Sequence, residues 1–228
     1  MIKAHPSDAM LRSYVAGDLN SASGLVVSTH LDMCPHCQRM VAAIEEELSS
    51  SISTVDAADA HNDMDDADMQ LMLDAIFSSS APEDNPLSVQ NSNDSLIYLD
   101  GKRFNLPRSL ARQKDRIGPW SKMMGNMWRA PINLGTDEVA NLIYMGPATS
   151  VPEHTHKGTE LQLVINGSFS DEYGHYHDGD LLLLDGSHQH TPQTTHEDCL
   201  ILAVMDGPLH FTSGISRLLN PFSSLFFR

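Results

Sequence analysis

No run of apolar residues in this sequence approaches the ~20 that a membrane-spanning helix needs. The first ten residues, MIKAHPSDAM, also lack the apolar stretch of a secretory signal. Together these absences predict a cytoplasmic protein with no membrane contact. Cysteine is scarce, with Cys34, Cys37 and Cys199 the only 3 in 228 residues. An odd number, two of them in a Cys-x-x-Cys pair, does not make a disulfide framework, and in a cytosolic chain metal or redox use of the pair is expected. Basic residues are few as well, 14 against 30 acidic ones, for a net charge of -16. The shortage is concentrated in residues 1–90, which hold 15 acidic and 3 basic residues, whereas residues 91–228 hold 15 and 11. So acidic a half is repelled by nucleic-acid phosphates, and direct nucleic-acid binding is not expected. It fits either plain solubility or a basic partner, such as a protein that itself binds nucleic acid.

What is present divides into two patterns. The hydrophobic content of 41% is enough for a core, and the length suits one large domain or two small ones. Residues 6–48 read as helical. Ser7 or Asp8 can cap a helix carrying Met10, Leu11, Tyr14, Val15 and Leu19. A second helix runs from Ser21 through Leu25, Val26 and His30 until Pro35 interrupts it, and a third continues from Pro35 through Met40, Val41, Ile44 and Leu48. Residues 49–60 are small and polar and read as a linker. Residues 61–77 read as a further helix with Met64, Met69, Met72, Leu73, Ile76 and Phe77, its acidic N-terminal end favoured by the helix dipole. Residues 78–95 have linker composition.

After residue 95 the period changes to short strands. LIYLDGKRF carries an Asp100-Gly101 turn, NLIYM follows, ELQLVI and GSFSD are joined by Asn166-Gly167, and GDLLLL and CLILAVM come last. Asn-Gly and Asp-Gly between apolar runs predict hairpins, and this many strands predict a barrel or jelly roll. The expectation is an α+β chain in two domains: an all-α region over 1–80, a linker over 81–95 and an all-β barrel over 96–228.

Two constellations carry chemistry. In His30-Leu-Asp-Met-Cys34-Pro-His-Cys37 the offsets of four and three bring all three side chains to one side of a helix or helix-turn. Two thiolates and an imidazole suit Zn2+ in a tetrahedral site that needs a fourth ligand. His5 and His36 are the local choices. His36 lies between the cysteines and is expected to point away, whereas His5 can clamp the first helix onto the second. A redox Cys-x-x-Cys would need a βαβ context, which this region lacks. In the second constellation His154 and His156, two apart, share one face of a strand, and Glu160 follows after a short turn. His188 and His190 come later, again two apart. Three imidazoles and a carboxylate suit Zn2+, Mn2+, Fe2+ or Ni2+. No further catalytic constellation is visible, and His175 and His177, beside a turn, are expected to face solvent.

The stretch from His5 to Cys37 resembles the zinc-binding anti-sigma domain, whose hallmark is an upstream histidine plus His-x3-Cys-x2-Cys. His154-x-His156-x3-Glu160-x6-Gly167 resembles the first cupin motif. It departs in that Gly146 lies further upstream than usual and Asp185-Gly186-Ser187 replaces the usual start of the second motif. The two in this order, with segments such as MGPATSVPEHTH and DGSHQHTP, resemble the ChrR family of anti-sigma factors over nearly the whole chain. The resemblance implies zinc on His5, His30, Cys34 and Cys37. It implies a barrel metal on His154, His156, Glu160 and, from the following Thr191-Pro192, His190 rather than His188. It also implies a non-enzymatic function: the helical domain holds an extracytoplasmic-function sigma factor, with residues 61–77 packing on it, and the barrel is a metal-dependent sensor that releases it under stress, oxidative in this family, with a small-molecule signal conceivable. The rival readings are a metal-dependent cupin enzyme, a dioxygenase or isomerase, and a binding module whose helical domain only dimerises.

Overall fold

A computed structural model describes residues 1–53, 66–78, 95–99, 101–135, 138–214, 217 and 220. Helix α1 (Asp8–Ala16) starts where the Ser7 side chain accepts the Met10 N–H and stops at Gly17, which takes the left-handed conformation at φ 76°. Helix α2 (Ser21–Met33) is capped by the Asn20 side chain. It ends at Cys34, extended at φ -119°, ψ 94°, as a residue before proline prefers. Pro35 then opens helix α3 (Pro35–Ser53), where its missing N–H costs nothing. The chain thus turns at Cys34 itself.

Helix α3 runs to Ser53, into the stretch expected to be linker. Ser49 and Ser50 turn their hydroxyls back onto the carbonyls of Glu46 and Glu47 at 3.0 and 2.8 Å, so these small polar residues continue the helix. The rest of that expected linker, residues 54–60, lies outside the described residues, as do 61–65 of the next helix and 79–94 of the second linker. Helix α4 (Asp66–Ser78) is present where the periodicity places it. Among the described residues no helix is long and apolar enough to cross a membrane.

The β region begins with a hairpin of β1 (Leu96–Leu99) and β2 (Lys102–Asn105) around Gly101. A short helix α5 (Arg108–Ala111), which the sequence pattern did not announce, follows. Then come β3 (Ser121–Lys122), β4 (Met127–Ile132), β5 (Val139–Met145), β6 (His154–His156), β7 (Glu160–Ser170), β8 (His175–His177), β9 (Leu181–Leu184), β10 (Cys199–Met205) and β11 (Leu209–Phe211). The main sheet is antiparallel in the order β3-β4-β5-β10-β7-β8, with β9 also on β7, and β6 pairs with β11.

Asn166-Gly167 is not a hairpin turn. Both residues lie inside the continuous strand β7, where the register against β10 slips between Leu200 and Ile201. Gly167, at φ +86°, packs so close to Asp198 that a Cβ would lie 1.9 Å from its carbonyl oxygen. The glycine therefore serves a bulge, the other setting in which a strand tolerates positive φ.

Both faces of this sheet are buried, and that locates the functional centres. Inside, Met127, Met145, Val164, Leu182, Ile201 and Ala203 pack together. Outside, Leu142, Leu161, Leu163, Leu200 and Leu202 pack against Phe104 of the hairpin, Leu110 of α5, and Ala22, Leu25 and Val26 of α2. All seven residues of β10, CLILAVM, are buried, because α2 covers the face an antiparallel sheet would otherwise turn to water. The opposite side of α2 belongs to a small separate cluster in which Leu11, Val27, Cys34, Cys37, Val41 and Ile44 are buried. Helix α2 is thus shared between the helical region and the barrel.

Candidate metal centres

The first centre lies where α2 turns into α3. His30 is on the last turn of α2, Cys34 at the break and Cys37 in the first turn of α3, while His5 arrives on the extended segment before α1. One ligand atom from each lies within 4.8 Å of every other, and all but His5 are buried. His30 Nε2 is 3.3 Å from Cys37 Sγ, and His5 Nδ1 is 3.5 and 3.4 Å from Cys34 and Cys37 Sγ. Ligands of a tetrahedral zinc ion, at about 2.3 Å for sulfur and about 2.0 Å for nitrogen, stand roughly 3.6 Å apart, so the donor set fits. His30 Nδ1 donates to the carbonyl oxygen of Gly179 at 2.8 Å, which leaves the Nε2 lone pair facing the thiols. Burial holds His30 down to about 4 and lifts the Cys37 thiol to about 12, with Cys34 adding to the latter. The imidazole is thereby neutral, as a ligand must be, and the thiol would release its proton only on binding a cation. His36 is exposed and outside this cluster, although its ring lies 5.2 Å from that of His5.

The second centre sits inside the barrel. Strand β6 presents His154 and His156 from one face, β7 starts with Glu160, and His190 comes from the loop between β9 and β10, bridged to His154 by paired backbone hydrogen bonds. All four are buried, with ligand atoms within 4.8 Å of one another. His190 Nε2 lies 3.1 Å from His154 Nε2 and 3.3 Å from His156 Nε2. His154 Nδ1 donates to the Pro152 carbonyl oxygen and His190 Nδ1 to Asp171 Oδ2, at 2.8 and 2.9 Å. Both acceptors require the ring proton on Nδ1, so two Nε2 lone pairs point at each other across 3.1 Å. A cation between them removes that repulsion. Glu160 supports the same fit: its Oε2 is buried, 3.1 Å from His156 Nδ1 but without a hydrogen bond, and burial lifts its carboxyl to about 7, a shift that a bound cation would reverse. His154 and His156 are depressed to about 4 and about 3, again chiefly by burial.

His188 is not part of this cluster. It is half-buried and its Nδ1 is 2.9 Å from Asp185 Oδ1 on the adjoining turn. His175 and His177 face solvent on β8. The functional residue that sequence reasoning missed is Asp171. Its side chain, like that of His190, is wholly buried. Burial opposes its charge, yet hydrogen bonds from His190 and from the N–H groups of Tyr173 and Gly174 hold it below the usual carboxylate range. Nothing in the local sequence marks it, because 19 residues separate it from His190. Changing Asp171 to Asn should weaken the barrel's metal binding roughly 10–100-fold. Competition titration against a chelator reads this directly, and an unchanged affinity would mean that Asp171 does not orient His190.

An apolar cavity opens onto the barrel centre. Its wall includes Met123, Met124, Met127, Met145, Ile201 and Phe211, with His154, Glu160 and Gln162 at the polar end. The arrangement can admit a small apolar molecule beside His154 and Glu160 and, among the described residues, has no cationic side chain to hold an anion.

A family model described as the ChrR cupin-like domain matches residues 112–210. The anti-sigma-E factor ChrR of Cereibacter sphaeroides is 31% identical over 97% of this chain and 98% of its own length. The fold is also similar to the crystal structure of Rhodobacter sphaeroides SigE in complex with the anti-sigma ChrR. That match has a TM-score of 0.67 and 26% identity, and covers 90% of this chain and 100% of the solved one.

Proposed function

Because this chain belongs to the ChrR family of anti-sigma factors, we propose that it sequesters an extracytoplasmic-function sigma factor through its helical region and releases it when the barrel responds to stress. The observation that carries the reading is helix α4. Its Met72, Leu73, Ile76 and Phe77, at offsets of one, four and five that share one side of a helix, are 50%, 37%, 57% and 83% exposed. An exposed apolar helix face marks a protein-binding element, and an amphipathic helix laid in a partner's groove is a recurrent way of using it. The acidic first half of the chain suits a partner that is itself basic enough to bind nucleic acid.

In this reading zinc on His5, His30, Cys34 and Cys37 is structural. The helical cluster has few buried residues of its own, too few to hold one arrangement unaided. When bound, the ion supplies a fixed vertex at which α2, α3 and the N-terminal segment meet. The barrel centre, with His154, His156, Glu160 and His190 as ligands of Zn2+, Mn2+, Fe2+ or Ni2+, is the sensing site. The adjoining cavity supports a small apolar signal there, and also gives the rival enzyme reading its one favourable feature. Steady turnover of a small molecule would support that rival.

Co-expression with the extracytoplasmic-function sigma factors of the same organism tests the proposal. One of them should co-purify as a soluble complex and lose promoter activity. Absence of a complex with every one of them would sink it. In the same assay, changing His154 and Glu160 together to Ala should leave the complex within about threefold of its normal affinity, under 1 kcal/mol, yet abolish release under oxidant. If the double change instead prevented the complex from forming, the division of labour would be wrong.

A further inference from the structure

The helices do not close the first metal centre by themselves. His30, one of its two imidazoles, donates through Nδ1 to the carbonyl oxygen of Gly179, 149 residues away in the barrel. The other imidazole, His5, follows a segment tied to the next two barrel residues. Asp180 Oδ1 accepts the N–H of Lys3 and of Ala4 at 2.6 and 2.9 Å, and its Oδ2 accepts the His177 N–H at 2.9 Å. Leu181 N–H donates to the Ala4 carbonyl oxygen at 3.0 Å. Asp180 is only 1% exposed. Both histidines therefore take their placement from one three-residue stretch at the start of β9. Gly179 takes φ +86°, which favours glycine, and a Cβ there would lie 2.4 Å from Ile2 Cδ1, so that side chain would have to move.

We propose that Gly179, Asp180 and Leu181 of the barrel form the outer shell of the zinc centre, so that docking of the barrel sets how firmly His5, His30, Cys34 and Cys37 hold their ion. The proposal rests on the zinc reading of that centre. Its physical basis is that the hydrogen-bond partner of a ligating imidazole selects the tautomer and aims the lone pair, so its loss costs metal affinity even when every ligand remains. For His5 the effect is one of pre-organisation. With the backbone of Lys3 and Ala4 pinned, the ligand does not have to be ordered when the ion arrives. Simple packing between α2 and the sheet is made by Ala22, Leu25 and Val26, whereas the ligand ring of His30 is held by a hydrogen bond to Gly179. The same strand also ends beside the other centre, because Leu184 of β9 pairs with Glu160. A rearrangement at the barrel metal thus reaches the zinc ligands along one four-residue strand.

Full-length protein loaded with cobalt(II) tests this. A thiolate-to-cobalt charge-transfer band reports only the centre containing Cys34 and Cys37, since Cys199 belongs to neither cluster. The rate at which excess EDTA bleaches the band measures retention. Asp180→Ala and Gly179→Ala should each accelerate bleaching about 10–100-fold. Asp180→Asn, which keeps an acceptor oxygen for Lys3 and Ala4 but offers His177 an amide, should fall between them and wild type. The barrel's thermal transition identifies variants that have merely unfolded, in which case Asp180→Asn and Gly179→Ala decide. Wild-type bleaching rates in folded variants would overturn the proposal. A wild-type protein with no thiolate band would instead overturn the zinc reading beneath it.

Discussion

Replacing Cys34 and Cys37 together with serine is expected to strip zinc from the helical region and to lower affinity for the sigma factor at least about 100-fold, or about 2.7 kcal/mol. A neutral hydroxyl does not replace a thiolate as a zinc ligand, and structural zinc contributes on the order of 10 kcal/mol to small domains that bind it. The cluster around Leu11, Val27, Val41 and Ile44 is too small to absorb such a loss. The barrel should survive, because Ala22, Leu25 and Val26 pack on the sheet from the side of α2 away from the cysteines. Metal analysis, a thermal scan and a sigma pull-down on one preparation separate these effects. A zinc-free double variant that still bound the sigma factor at full strength would show the centre to be dispensable.

The second large effect is expected at α4. Changing Met72, Ile76 and Phe77 to Asp should leave the free protein's melting temperature almost unaltered. These side chains are 50%, 57% and 83% exposed, and surface changes of this kind stay within about 0.5 kcal/mol. Binding should suffer far more. Buried apolar anchors at an interface cost about 2 kcal/mol or more each when lost, and even with strong non-additivity the triple change should exceed about 4 kcal/mol, roughly a thousandfold in affinity. Isothermal titration or co-purification checks it. Normal binding by the triple variant would remove α4 as the docking element and leave its exposed face without a role.

Where prediction from sequence fell short, particular residues show why. Asn166-Gly167 has the composition of a two-residue turn, yet whether such a pair turns a hairpin or bulges a strand depends on what lies opposite. Here that is Asp198 and Cys199, more than thirty residues away. Ser49 to Ser53 have linker composition, but propensity differences of a few tenths of a kcal/mol are overridden once a helix is already propagating. CLILAVM was legible as a strand. That its outer side would be covered by Ala22, Leu25 and Val26, and not by water, was not, because α2 carries apolar residues on several sides without announcing two partners.

The two candidate metal centres divide in the same way. The sequence by itself determined the parts that backbone periodicity places: His30, Cys34 and Cys37 around one break between helices, His154 with His156 on one strand face, and Glu160 just beyond. Offsets of two, three and four residues have fixed geometric meaning in a strand or helix, so spacing alone brings these side chains together. Tertiary structure decided the rest. It set His5 and not His36 beside the thiols, His190 and not His188 beside the imidazoles, and Asp171 behind His190. It also placed Gly179 behind His30 and Asp180 behind the segment that leads to His5. Each of these choices joins residues far apart in the chain, and local spacing carries no information about such contacts. Only strand register and the packing of α2 on the sheet select them.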